Sequence, residues 1–377
     1  MPLTHLGTDR PGRVPYEISW WQLCMIVVSA HASVVVSYAP MVSSRIPPVR
    51  DAWLASLVAW VPGLVLALIA WWLAKRFEGQ NVFEFAFSIF GRSLGAVINA
   101  GLVVYLLYWA AVVTREFSLF MASIVYLRTP EVVFSVVFLI LAFVGASQQI
   151  EFIGRTAELA GPLTIGGFAL LLLANVPNMD FGMVRPMLAE GWRAVAEQAV
   201  GPAVVIGDTA WVALLAAPYL NNLAHGPKAL GLGIGITVFF LSAGALVLMA
   251  VFGPELLAIL AFPALSATRL VSIGESLERL EWLMLMLWIG AIGVKISLLL
   301  FGARLGVTSL FPGARPGAVL LAVAVVVLVW SSVVLPTMPA VLDLFLAENL
   351  VRFIVPLQLV PLVFAAAALA RGVKGSG

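Results

Sequence analysis

The chain has 377 residues, of which 62% are hydrophobic and only 11% charged, with a formal net charge of +2. A soluble globular domain carries about 25% charged and about 45–50% apolar residues, so a water-soluble fold is excluded and the chain reads as an integral protein of the lipid bilayer. The charge is too weak and too dispersed for a nucleic-acid partner, and one cysteine (Cys24) with three scattered histidines (His5, His31, His225) argues against a disulfide framework, a metal centre or a bound cofactor.

Residues 1–17, MPLTHLGTDRPGRVPYE, are polar and broken by prolines, and read as a flexible cytoplasmic tail without a cleavable signal peptide. About twenty apolar residues cross a bilayer as helix. On that ruler ten spans follow, at 18–40, 51–74, 94–115, 131–147, 157–176, 201–221, 229–251, 282–301, 318–336 and 349–370. The fourth is short, and the apolar piece FSLFMASIVYL after the third either continues that helix or lies along the interface. Two outer connections, 177–200 and 252–281, mix apolar and charged residues at helical spacing and read as interfacial helices. Residues 371–377 form a second tail, and the Lys and Arg bias places both termini in the cytoplasm.

The ten spans divide into two sets of five, 18–176 and 201–370. An odd half-count inverts the second set relative to the first, the inverted-repeat plan of LeuT-type transporters. Span 1 reads AHASVVVSYAPMV and span 6 reads IGDTAWVALLAAPYL; each places an ionisable group, His31 or Asp208, before an Ala-Pro pair. That plan interrupts spans 1 and 6 near the membrane centre, around a ligand. Gly207 beside Asp208 predicts the break in span 6, whereas span 1 has no glycine near His31.

An ionisable side chain at a helix centre costs about 2.5–3.5 kcal/mol on insertion scales, so each is a candidate site residue. Asp208 can hold a ligand amine, carry a proton or cap the second half of span 6, and its neighbours Ile206, Gly207 and Thr209 are assigned to the ligand with it. His31, with Ser29, Ala30 and Ser33 leaving room around it, is either a ligand contact and protonation switch or a neutral structural tie. Tyr105 and Tyr108 share a face of span 3, and Trp288 of span 8 is placed as a pocket wall. Lys295 either snorkels to the inner surface or holds its ammonium between spans 1 and 8, where some LeuT-type proteins hold sodium. Arg115–Glu116 and Arg155–Glu158 are expected to pair locally. No catalytic triad, phosphate loop or paired-carboxylate site is present, so no enzyme is expected.

Over nearly its whole length the chain resembles the B subunit of bacterial spore germinant receptors, a branch of the amino acid–polyamine–organocation (APC) permease superfamily. The likeness is carried, in order, by ISWWQLCMIVVSAHA, DAWLASLVAW, FGRSLGAVIN, LRTPEVVFSVVFLILAFVGASQQIEFIGRTAEL, VRPMLAEGW, VFGPE and LERLEWLMLMLWIGAIGVK. The resemblance implies a nutrient sensor in the inner membrane of the dormant spore. It would recognise a small amino acid or related nutrient and act with an A subunit and a lipoprotein C subunit. Two departures stand out: Ser33, Val34 and Val35 occupy the place of the permease glycines, and Asp208 stands where related chains often carry Glu. A proton-coupled amino acid symporter of the same superfamily and a membrane scaffold with a vestigial pocket are the competing expectations.

Overall fold

The computed structural model describes residues 17–41, 50–257, 259–260, 262–271, 280–335, 337, 340–341 and 349–373. The N-terminal tail through residue 16, part of the second outer connection (272–279) and the Ser33 side chain lie outside the described residues.

Helices fall on all ten apolar runs. They are α1 (Trp20–Met41), α2 (Ala52–Arg76), α3 (Val82–Phe90), α4 (Arg92–Phe120), α5 (Glu131–Ser147), α6 (Gln149–Ala174) and α7 (Gly191–Gln198). There follow α8 (Val200–Gly207), α9 (Thr209–Ala216), α10 (Gly226–Leu257), α11 (Pro263–Leu270), α12 (Leu280–Leu310), α13 (Pro316–Val334), α14 (Val355–Gln358) and α15 (Val360–Ala370). Seven helical stretches among the described residues are long and apolar enough to cross a membrane, and α5 and α15 are shorter apolar helices. The 22 residues of α1 rise about 33 Å, enough for a bilayer core.

Local chemistry sets the helix starts. Ser19 and Gln22 form a reciprocal cap on α1, with Gln22 N–H donating to Ser19 Oγ at 3.1 Å and Ser19 N–H to Gln22 Oε1 at 2.9 Å. Asn81 and Glu84 do the same for α3, a helix the apolar-run ruler passes over because it is only nine residues long. The piece FSLFMASIVYL continues α4 as helix to Phe120 and then one π-turn, Met121–Val125. The fifth span is helix α6, which starts at Gln149, a residue of positive φ (68°), well before the expected 157. Its polar first turns are helical: Arg155 pairs with Glu151 one turn back at 2.5 Å, not with Glu158. Glu158 instead accepts from Gln22 Nε2 at 2.9 Å. Both outer connections contain a short helix, α7 and α11.

Helix α1 lies at the centre, its residues Leu23–Val28 all buried, packed against α6, α10 and α12. Helix α2 packs on α8, α9 and α10. Backbone approach is close where glycine allows it: a Cβ added to Gly63 of α2 would run into the Ile206 side chain of α8. Gly63→Val is therefore expected to destabilise the protein by about 1–3 kcal/mol through overpacking. Thermal unfolding in detergent reads this, and an unchanged midpoint would show that α2 and α8 can separate freely. At one end of the bundle, Ile18 N–H donates to Tyr219 O at 2.8 Å and Asn221 N–H to Ile18 O at 3.0 Å, an isolated parallel bridge joining the entry to α1 and the exit from α9.

Candidate functional site

In the sixth span the α-helical hydrogen-bond pattern is interrupted at a single residue. Asp208 stands between α8 and α9 with φ −58° and ψ −20°. Its N–H reaches back to Val205 O at 3.2 Å, and its own carbonyl accepts from Trp211 and Val212 at 3.0 and 3.2 Å. One turn tightens, but the chain does not unwind. Buried carbonyls at such a point need donors, and side chains from two other helices supply them. Gln358 Nε2 donates to Val204 O at 2.5 Å, and His31 Nε2 lies 3.0 Å from Val205 O.

The expected interruption of span 1 does not occur: α1 is continuous from Trp20 to Met41. Without a glycine beside His31 the helix keeps its geometry, and the ring bonds within it, Nδ1 lying 2.6 Å from Val27 O. Thr209 Oγ1 is 3.3 Å from Nε2. A neutral ring donates from one nitrogen only, Nδ1–H to Val27 O or Nε2–H to Val205 O, whereas a protonated ring donates to both carbonyls.

Asp208 is the hub of the polar cluster. Its Oδ1 accepts from Tyr105 OH and from Gln358 Nε2, each at 3.1 Å, and its Oδ2 pairs with Lys295 Nζ at 3.4 Å. The Lys295 and Asp208 side chains are 5% and 13% exposed, so this is a buried ion pair, whose attraction must offset the desolvation of both charges. The ammonium also lies 5.5 Å from the centre of the Trp109 ring, a cation–π contact. Lys295 therefore does not snorkel; its ammonium lies between Asp208 and the Trp109 ring of α4. The Tyr105 ring rests 5.1 Å from that of Trp211.

The other assigned residues divide. Thr209 joins His31, and Gly207 gives the Gln358 amide room: a Cβ there would sit 2.8 Å from Gln358 Oε1. Ser29 and Ala30 are buried in α1, and Ser29 Oγ has no hydrogen-bond partner among the described residues. Ile206 points instead at Gly63 of α2. Tyr108 packs against Trp109 and Trp330, 6.2 and 6.1 Å away, which turns it toward α13. Trp288 belongs to a separate aromatic cluster, its ring 5.6 and 4.7 Å from those of Phe117 and Phe120. Seven residues along α12 separate it from Lys295, about 10 Å.

Gln358 was not anticipated; its signal is a lone amide in the apolar run VPLQLVPL. Removing it, in Gln358→Leu, leaves the Val204 carbonyl without that donor and Asp208 with one fewer. The expected cost is about 1–3 kcal/mol of stability, read as a lowered thermal midpoint. A midpoint equal to the parent's would mean that water replaces the amide freely. Arg115 pairs with Glu131 at 2.8 Å. A cavity of about 110 Å³ lies on the α8 side, walled by Ser56, Asn175, Val205, Phe240 and Thr268 among others. Asp208 and Lys295 are not among its walls. No group of His, Cys, Asp and Glu that could hold a metal occurs among the described residues.

A helical bundle with a charged hub at a broken sixth span defines a polytopic membrane protein of the LeuT-type transporter fold. The nucleobase-cation-symport-1 family transporter Mhp1, in a closed conformation with bromovinylhydantoin bound, matches 96% of this chain and 82% of its own, with TM-score 0.71 and 16% identity. MhsT in complex with L-phenylalanine matches 95% and 91%, with TM-score 0.66 and 14% identity. At these identities the likeness establishes the fold alone. The family model described as "Spore germination protein" matches residues 17–339, and the chain belongs to that family. Among its relatives, spore germination protein KB of Bacillus subtilis (strain 168) is 24% identical over 272 residues, 71% of this chain and 72% of that protein. Spore germination protein XB of Bacillus anthracis is 21% identical over 253 residues, 67% and 70% of the two chains.

Proposed function

We propose that this chain is the ligand-sensing membrane subunit of a spore germinant receptor. A small amino acid or related nutrient binds where α1 meets the α8–α9 break, and the rearrangement passes to an A subunit and a lipoprotein C subunit in the spore inner membrane. The observation that carries this reading is the position of Asp208. One carboxylate at a helix break is held by side chains from α4, α12 and α14. A ligand group that takes Asp208 therefore competes with side chains from three other helices and displaces at least one of them, which is what a sensor needs. Family membership and the transporter fold support the same reading.

A thermal-shift screen against the amino acids identifies the ligand, since binding to the native state raises its stability. With that ligand, Asp208→Asn is expected to weaken binding by about 1–3 kcal/mol, and His31→Phe to block it by filling space. Calorimetry that finds affinity unchanged in both variants would place the pocket elsewhere. The two five-helix halves, 18–176 and 201–370, are read as inverted repeats with both termini cytoplasmic. Single cysteines at exposed positions Met187 and His225 should label from the outside and the inside respectively; labelling from one side would overturn the topology. A titratable His31 that bridges α1 to Val205 of α8 and Thr209 of α9 favours a second reading as a proton-coupled symporter, which uptake of labelled amino acid into proteoliposomes tests.

A further inference from the structure

We infer that the Asp208–Lys295 pair selects the ligand by its net charge: a zwitterion enters by exchanging that internal ion pair for two of its own, its amine to Asp208 and its carboxylate to Lys295. This rests on the reading that the ligand binds at Asp208.

The first argument is charge balance. Asp208 and Lys295 are both withdrawn from water, and their charges sum to zero. The side chains around them, Tyr105, Trp109, Trp211, Thr209 and Gln358, add no fixed charge, and His31 is the further titratable group. A bound cation would take Asp208 and strand the Lys295 ammonium; a bound anion would strand Asp208. An unpaired buried charge is strongly unfavourable. A zwitterion leaves every charge paired and the sum unchanged.

The second argument is donor capacity. An ammonium carries three N–H groups, and Lys295 places one on Asp208 at 3.4 Å, beyond the usual range for such bonds. A carboxylate can therefore be accepted without first breaking a strong bond. Trp211 Nε1 is a further buried donor with no hydrogen-bond partner among the described residues. Trp211 lies one turn beyond Asp208, its ring against that of Tyr105. On the acid side, Tyr105 and Gln358 both hold Oδ1, so an incoming amine need displace Lys295 alone from Oδ2. The exchange separates α12 from α9, so ligand charge is coupled directly to the seam between those helices.

The test measures binding of three charge forms, the free amino acid, its carboxamide (cation) and its N-acetyl derivative (anion), to purified full-length protein in nanodiscs. The trios are built on L-alanine, L-leucine and L-phenylalanine. For the best-fitting side chain, the parent protein should prefer the free amino acid over both derivatives by about 10- to 100-fold. In Lys295→Met the carboxamide should become the preferred form, and in Asp208→Asn the N-acetyl derivative. Should either single variant fail to purify, the reversed pair Asp208→Lys/Lys295→Asp, neutral in sum, should keep the preference for the free amino acid over both derivatives; losing it would overturn the inference. If the free amino acid binds the parent but the order of the three forms is the same in both single variants, charge selection by this pair is wrong while ligand sensing stands. If no form binds the parent protein, the ligand reading fails and the inference fails with it.

Discussion

Replacing Asp208 with leucine is expected to lower the unfolding free energy by about 3–5 kcal/mol, the usual penalty for stranding one member of a buried ion pair. Lys295 would keep the face of Trp109 but lose its counter-charge, and Tyr105 would lose its acceptor. Adding Lys295→Met should recover most of that loss, because the double variant buries no unpaired charge and methionine fills the space of the lysine stem. The double-mutant cycle, read from denaturation in detergent, should thus show strong coupling. Purely additive losses would mean that the two charges do not depend on each other, and the charge-exchange scheme would lose its basis.

Arg115→Met should be the next most damaging change, at about 2–3 kcal/mol. The guanidinium is almost fully buried on α4 and does two jobs. Its Nε donates to Leu335 O at 2.7 Å, just beyond α13, and its Nη2 to Glu131 Oε1 at 2.8 Å, in the first turn of α5. Methionine leaves the buried Leu335 carbonyl without that donor. Lysine should rescue little, since a point charge does not span two acceptors in different directions. Glu131→Gln should cost far less, because its side chain is 46% exposed and water can replace the pair. A fully stable Arg115→Lys protein would show that charge, not the two-armed geometry, matters there.

The membrane-spanning architecture was legible because lipid leaves the chain few options: a long apolar run must become a helix that satisfies its own backbone. The start of α6 was not, since Gln149, Glu151 and Arg155 read as loop by composition while an (i, i+4) ion pair makes them good helix. Likewise the Asn81–Glu84 capping box was visible in NVFE, but a nine-residue helix is invisible to a twenty-residue ruler. At the site, Asp208, His31 and Lys295 were legible as costly groups in apolar surroundings. Their partners were not. Which neighbour Lys295 chooses depends on helix rotation, and Gln358 meets Asp208 across 150 residues of sequence. The assignment of Trp288 and Tyr108 rests on their spans alone, and their rings pack against Phe120 and Trp330. The expected break in α1 came from the general plan and not from these residues; His31 bonds within its own helix, and no glycine invites the chain to leave it.

The bridge between Ile18 and Leu220 makes α1 and the α8–α9 segment resemble a pair of tongs pinned near one tip. Two main-chain hydrogen bonds, at 2.8 and 3.0 Å, are the pin. While they hold, the two arms can spread only from the far tip, so on the function proposed above a ligand would reach Asp208 from that side. Releasing the pin costs about 0.5–1.5 kcal/mol per bond, small against the several kcal/mol that a ligand's preference for one conformation can supply. The amides of Ile18 and Asn221 would then be a direct gauge of direction: slow to exchange with solvent deuterium while the near tip is shut, and fast in any state that lets a solute through.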